Sequence, residues 1–240
     1  MTEYFLPTHV YFCYQDDTVV FLDLESDEYT LIEGSEALAF RAIFCDIRDS
    51  LSRQQDVSCN PDHRHDDTAT VLNELIEDGL LTTATSNCKP VLPTATSAPM
   101  EHLVCADTAV VSIQIAHAWN FVVACAVAAL RLRLCHIATT VRAVQRRKAQ
   151  RSDGKPFDFD KARQLVAVFK KLRHYFPADY LCLFDSLALI EFLARYDVFP
   201  DWIFAVRPGF WGAHCWIQQD TVAFNEDTEE AESYIPIMVV

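Results

Sequence analysis

Hydrophobic and polar residues alternate in three short stretches near the start of the chain. Each stretch is rich in the β-branched and aromatic residues that favour strands; the three are HVYFCYQ, TVVFLDLES and EYTLIEG. Acidic and serine residues, which favour turns, separate them. The pattern predicts a three-stranded antiparallel meander.

Two helical periodicities follow this meander. The first is SEALAFRAIFCDIRDSL, with Ser35 placed to cap it, and the second is TATVLNELIEDGLLTT, in which Gly79 is placed to end the helix. A small sheet followed by short helices predicts a winged-helix-like domain over residues 1–85.

The polar stretch CNPDHRHDD between these helices contains His63 and His65. A metal site needs further ligands at a recognisable spacing, and the sequence offers no second pair. We therefore expect a solvated loop here, and neither a metal nor another cofactor in the protein. The nine cysteines are scattered and form no CxxC pair, which predicts free thiols in a reducing cytosol.

The periodic pattern stops at SNCKPVLPTATSAPM, where Pro, Ser, Thr and Ala replace the regular apolar positions. Such a composition is typical of a linker. We interpret residues 86–105 as a tether between the first domain and a second domain over residues 106–240.

The second domain opens with an apolar stretch over residues 110–134. It is long enough to suggest a membrane span, but polar side chains interrupt it at Gln114, His117 and Asn120. Its length and polar content favour a buried helix, or one that docks on a partner, over a membrane span.

Charge and composition narrow the function classes. The formal net charge of −14 argues against general affinity for nucleic acid, because binding phosphates needs a basic surface. The first residues contain neither a basic segment nor an apolar segment of the kind found in secretory signals. A cytoplasmic protein is the expectation.

The C-terminal part combines one helix with alternating stretches. DYLCLFDSLALIEFLARY predicts a helix that begins near Cys182, and DWIFAVR, AHCWIQQ and VAFNED predict strands. The fold class is therefore α+β, with helices packed on an antiparallel sheet that the start of the Cys182 helix faces.

This arrangement suits nucleophilic catalysis. A helix N-terminus favours a thiolate at Cys182, and His214 from a facing strand can hold it as an ion pair. Glu226 or Asp227 on the next strand could then orient the imidazole. The order of cysteine, histidine and acid along helix, strand and strand is that of the transglutaminase-like and papain-like thiol fold. A buried core cysteine is the alternative.

Longer stretches carry a family resemblance. CLFDSLALIEFLARYDV, FAVRPGFWGAHCWIQQD and VAFNED resemble the leader peptidase, or B protein, of lasso peptide biosynthesis, in which a Cys-Leu-x-x-Ser-x-x-Leu helix precedes a His-x-Trp strand. VVFLDLESDEYTLIEG and LIEDGLL resemble the leader-recognition domain related to the PqqD chaperone. Together the two resemblances cover most of the chain.

The resemblance implies a cysteine protease that removes the leader of a ribosomally made precursor peptide. The released core amine would pass to a separate ATP-using cyclase of the asparagine-synthetase type. The motifs imply Cys182 as the nucleophile and His214 as the base. In the family an aspartate follows an asparagine directly, whereas Glu226 follows Asn225 here; we favour Asp227 as the acid and keep Glu226 as the alternative.

The resemblance also implies how the leader would bind. An extra strand would add along EYTLIEG, with its side chains against the helix TATVLNELIEDG. The candidate leader-binding residues are Glu28, Tyr29, Thr30, Leu31, Ile32, Leu72, Glu74 and Leu75. Two other function classes stay open: an acyltransferase on the same triad, and a leader-binding scaffold without catalysis.

Overall fold

Two separate hydrophobic cores divide the chain. The computed structural model forms one unit over Met1–Thr94 and another over Ala95–Val240. The residues that it describes are 3–44, 64–103, 112–151, 156–177 and 179–240.

The first unit contains the predicted meander. Strands β2 (Val10–Gln15), β3 (Thr18–Asp23) and β4 (Glu28–Glu33) pair antiparallel in the order β2-β3-β4. Phe12 lies opposite Phe21 in the register between β2 and β3. The strand prediction is confirmed, because alternation along half-buried strands is a local property that the sequence carries.

Two helices cover this meander. Helix α1 (Ser35–Phe44) places Phe40 against Phe12 and Phe21, with ring centroids 5.3 Å apart in both pairs. These three buried rings form the centre of the first core.

Helix α2 (Arg64–Glu77) ends as its sequence predicts. Gly79 has a left-handed φ of 74° and donates its N–H to Ile76 O at 3.0 Å, while Leu80 N–H bonds Leu75 O at 2.8 Å. These two bonds are the Schellman motif, which a glycine in this position allows.

The loop predicted between the two helices is only partly described. Its last residues belong to α2, which begins earlier than the periodicity indicated. Residues 59–63 of that loop, with His63, lie outside the described residues, as do residues 45–51 at the end of the first predicted helix.

The stretch interpreted as a linker has a strand near each end. Strand β5 (Cys88–Pro90) pairs antiparallel with β1 (Phe5–Pro7) inside the first unit. Strand β6 (Glu101–His102) belongs to the sheet of the second unit. The chain passes from one unit to the other between Thr94 and Ala95.

The described part of the second unit contains a five-stranded sheet in the order β10-β7-β8-β9-β6. Its long strands β7 (Asp201–Arg207) and β8 (Gly212–Gln219) match the predicted ones and pair antiparallel. Strand β9 (Val222–Ala223) pairs parallel with β6. Strand β10 (Ile235–Val239), which follows helix α7 (Thr228–Glu232), was not predicted.

Helices pack around α6 (Cys182–Ala194) in this unit. Helix α5 (Phe159–Arg173) is capped by Asp158, whose carboxylate accepts the Lys161 N–H at 3.0 Å. Helix α4 (Ile137–Arg151) is rich in basic residues. Its Arg147, Lys148 and Arg151 side chains form ion pairs with Glu191, Asp201 and Asp197.

Helix α3 (Ile115–Leu134) corresponds to the apolar stretch. One face packs on α6, and Asn120 Nδ2 donates to the hydroxyl of Tyr196, just beyond the end of α6, at 2.9 Å. The opposite face exposes large apolar side chains, among them Trp119 and Leu130. By length and mean hydropathy it is the one helix of the described residues that could cross a membrane. Of its most apolar stretch, 22% is buried inside the protein. The expected burial therefore holds for one face only.

Candidate active site

Cys182 is the first residue of α6, as the sequence predicted. Leu181 precedes it in an extended conformation (φ −128°, ψ 119°) and is exposed, so the chain enters the helix from the surface. Every residue from 185 to 193 is buried, which makes α6 the central helix of its unit. Cys182 itself is only half-buried, because it lies at the end of that buried helix.

His214 faces Cys182 from strand β8. The Cys182 thiol and the His214 ring form a hydrogen bond with each other. The ring centroids of Trp216 and Tyr234 lie 6.0 and 5.1 Å from that of the imidazole, so these rings pack beside it and limit its movement. The structure therefore brings together the two residues that the motifs assigned as nucleophile and base.

Glu226 is the carboxylate that contacts the imidazole. Its Oε2 atom lies 2.5 Å from His214 Nε2, and its Oε1 accepts the Asp227 backbone N–H at 3.0 Å. The Glu226 and His214 side chains are 19% and 18% exposed. Because Nε2 is hydrogen-bonded to Glu226, we infer that Nδ1 is the nitrogen that contacts the Cys182 thiol.

Asp227, which we favoured from the sequence, does not contact His214 in the structure. Its side chain is 79% exposed and lies 3.8 Å from His102 Nε2. Our preference assumed a regular strand through both acids, but β9 ends at Ala223 and Asp227 is the residue directly before α7. The structure corrects the placement: the turn directs Asp227 outward, and the longer Glu226 side chain reaches back to the ring.

These contacts set the protonation states of the site. The pKa of Cys182 falls from 9.0 to about 4, through hydrogen bonds from the Cys215 thiol first and with His214 second, against the opposing effect of burial. The pKa of His214 rises from 6.5 to about 9, through its bond with Cys182 first and with Glu226 second. At neutral pH the pair is therefore a thiolate and an imidazolium.

The protonation states of Cys215 and Glu226 agree with a thiolate at Cys182 and an imidazolium at His214. Burial raises the pKa of the Cys215 thiol well above its usual range, so Cys215 keeps its proton and can donate it in a hydrogen bond. For Glu226, burial acts in the opposite direction, but the bonds with His214 and the Asp227 N–H lower its pKa overall. Glu226 is therefore the anion that the imidazolium needs as a partner.

A chain of polar contacts fixes α6 against β8. Ser186 Oγ donates to Cys215 O at 3.1 Å, and Asn225 Nδ2 donates to Ser186 Oγ at 3.0 Å. Asn225 Oδ1 accepts the Ile217 N–H at 2.7 Å. Our reasoning from the sequence missed this role, although Ser186 is the serine of the Cys-Leu-x-x-Ser motif and Asn225 directly precedes Glu226.

The leader-binding candidates lie in the first unit and divide into two groups. Residues 28–32 lie on β4, at the end of the order β2-β3-β4 in the described sheet. Leu72 and Leu75 are instead buried in the first core, where they hold α2 in place. Glu74 is exposed and lines a small cavity of about 210 Å³ together with Ser35. The β4 residues and Glu74 are thus the accessible candidates.

Within the described residues, no three His, Cys, Asp or Glu side chains come close enough together to hold a metal ion.

The fold and this site agree with a comparison to known families. Residues 119–239 match the transglutaminase-like superfamily, over just over half of the chain, and the chain belongs to that superfamily. The match covers α6 and strands β7 to β10, and it includes Cys182, His214 and Glu226. No curated protein and no solved structure matches the chain.

The first prediction concerns the pH dependence of the thiol. Cys182 loses its proton as the pH rises through its pKa of about 4, so alkylation by iodoacetamide should be slow below that pH and fast above it. Rates should be followed at Cys182 by peptide mass spectrometry. His214→Ala removes the partner and should move the midpoint upward. A wild-type midpoint near 9.0, the ordinary value, would contradict the ion pair.

The second prediction separates the two acids. Glu226→Gln removes a charge that raises the pKa of His214, so the histidine should lose its proton below the present value of about 9. The matched variant Asp227→Asn should leave this pKa nearly unchanged, because Asp227 is far more exposed and contacts a different histidine. NMR titration of the His214 ring measures both. A larger shift with Asp227→Asn would restore our original preference.

Proposed function

We propose that the protein is a cysteine peptidase that removes the leader from a ribosomally made precursor peptide in lasso peptide biosynthesis. The observation that carries the proposal is the hydrogen-bonded set of Cys182, His214 and Glu226 at the start of α6. Membership of the transglutaminase-like superfamily supports thiol chemistry, and the motif resemblance supplies the substrate class.

The reaction follows from the protonation states. The Cys182 thiolate attacks the scissile carbonyl, and the His214 imidazolium gives its proton to the departing amine of the core peptide. A thioester then joins the leader fragment to Cys182. Neutral His214 takes a proton from water, whose oxygen attacks the thioester and releases the leader acid and the thiolate. Glu226 stabilises the imidazolium throughout.

The developing oxyanion needs a donor near the thiol. The Cys182 backbone N–H is suited to this role, because the first N–H groups of a helix have no partner within the helix. The neighbouring Leu181 N–H is already bonded to Asp185 at 2.7 Å. We therefore assign the oxyanion to the Cys182 N–H.

The first unit would bind the leader. Strand β4 is an edge of its three-stranded sheet in the described residues, so its backbone groups can pair with an added strand. Acidic Glu28 on that strand and exposed Glu74 on α2 suit a leader that carries lysine or arginine. Holding the leader there raises the concentration of the scissile bond at Cys182.

The proposal also includes a partner enzyme and a cellular location. The core peptide would pass with a free amine to a cyclase of the asparagine-synthetase type. Both steps would take place in the cytoplasm, where the precursor is made and the thiol stays reduced. The mechanism above requires no cofactor.

Superfamily membership supports a second candidate function. An acyltransferase would use the same thioester, but an amine in place of water would attack it. Product mass separates the two, because hydrolysis adds one water and transamidation joins an amine to the leader. A scaffold without catalysis would leave the precursor intact.

The third prediction tests catalysis directly. Cys182→Ala and His214→Ala should each abolish cleavage of the precursor peptide encoded beside this gene, because each removes a group that reacts. Cys135→Ala changes an exposed cysteine and should cleave at the wild-type rate. Mass spectrometry of the products gives both rate and reaction type. Near-normal turnover by Cys182→Ala would end the peptidase proposal.

The fourth prediction tests the division of labour. Residues 1–94 made alone should bind the leader, because this unit has its own core and includes β5, which pairs with β1. Residues 95–240 alone should cleave poorly until the first unit is restored on the same chain. Fluorescence titration with a labelled leader measures binding. If residues 1–94 fold by circular dichroism but bind no leader, the first unit has another role.

A further inference from the structure

We infer that the buried pair of Arg173 and Asp185 is a positioning device that sets where the Cys182 thiol and its backbone N–H lie. The effect of this pair on catalysis rests on the proposed function. Its effect on Cys182 can be tested by alkylation of the thiol, which needs no peptide substrate. Neither residue belongs to the set of Cys182, His214 and Glu226.

Arg173 connects the end of α5 to the start of α6. It is the last residue of α5, and it is only 2% exposed. Its Nε bonds Asp185 Oδ1, and its Nη2 lies 3.4 Å from Asp185 Oδ2. The same Nη2 donates to the Asp179 carbonyl at 2.7 Å. One guanidinium therefore holds both the first turn of α6 and the segment that leads into it.

Asp185 also holds the residue next to the thiol. Its Oδ2 accepts the Leu181 N–H at 2.7 Å, and its own N–H donates to Leu181 O at 2.8 Å. Leu181 is thus bonded on both sides by one residue. Because Leu181 directly precedes Cys182, these bonds fix the direction in which the chain enters the helix.

Hydrophobic burial cannot perform this task at this place. Tyr180 and Leu181 are 69% and 62% exposed, so the segment before Cys182 has little apolar surface in the core. The Tyr180 ring instead lies against the Arg173 guanidinium, with the guanidinium carbon 4.3 Å from the ring centroid. The ion pair therefore holds a segment that would otherwise be mobile.

The pair also balances charge near the thiolate. An unpaired carboxylate in the first turn of α6 would oppose a negative sulfur, and Arg173 neutralises it. Buried ion pairs contribute little net stability, and apolar replacements of similar volume are often as stable. Positioning is thus a better physical reason for this pair than stability.

A second buried carboxylate on the same helix, which also pairs with arginine, provides the control. Glu191 lies in α6 with a side chain that is 8% exposed, and it bonds Arg147 at 2.7 Å. It is more than two helical turns beyond Cys182. Glu191→Gln and Asp185→Asn therefore make the same chemical change in the same helix, at different distances from the thiol.

The experiment, our fifth prediction, compares iodoacetamide alkylation of Cys182 across pH in the full-length wild type and three variants. These are Asp185→Asn, the double variant Arg173→Met with Asp185→Leu, and Glu191→Gln. The double variant, which removes both charges together, should alkylate more slowly at neutral pH with a higher midpoint. Both variants of the pair should lose roughly 10²-fold in kcat on the precursor peptide. Glu191→Gln should keep the wild-type pH profile. Melting temperatures show whether each variant is folded.

The outcomes distinguish this inference from the proposed function. A wild-type pH profile in the folded double variant would overturn the positioning role, as would a wild-type kcat in folded Asp185→Asn or an equal shift of the midpoint in Glu191→Gln. If Asp185→Asn does not fold, the double variant decides, because it leaves no buried charge unpaired. Wild-type protein that alkylates as expected but cleaves no precursor would overturn the proposed function alone.

Discussion

The ion pair between Cys182 and His214 is the interaction on which the chemistry of this protein depends. It exists because the start of a buried helix is held against one strand, with Cys215 donating to the thiolate and Glu226 supporting the imidazolium. Each contact favours the charged form of its partner, so the thiolate persists at neutral pH. The half-buried position of Cys182 then leaves it open to a substrate.

The rest of the second unit maintains this geometry in two ways. Apolar packing fixes the body of α6, whose residues 185–193 are all buried. Polar contacts fix its ends and edges, where packing is weak: Ser186 and Asn225 join the helix to β8, and Arg173 holds the segment before Cys182. Hydrogen bonds are directional, so they can define the position of a single atom where nonspecific burial cannot.

The division into two units suits a substrate with two parts. In our proposal an edge strand binds the leader and the thiol cuts after it, so recognition and catalysis can change independently. The exposed apolar face of α3 is assigned no role in this proposal. The other face of α3 packs on α6, which joins a helix of this composition to the second unit.

The sequence by itself determined the features that depend on local periodicity: the meander, the glycine end of α2, the start of α6 at Cys182 and the strand that carries His214. It favoured the wrong acid for contact with His214, because the direction of a side chain after β9 depends on a turn that has no periodicity. It also placed Leu72 and Leu75 at the leader, although helical spacing shows only that a face is apolar. Only the tertiary structure decided what covers that face and which distant groups meet, since residues such as Arg173 and Asp185 are joined by chain packing that no local pattern encodes.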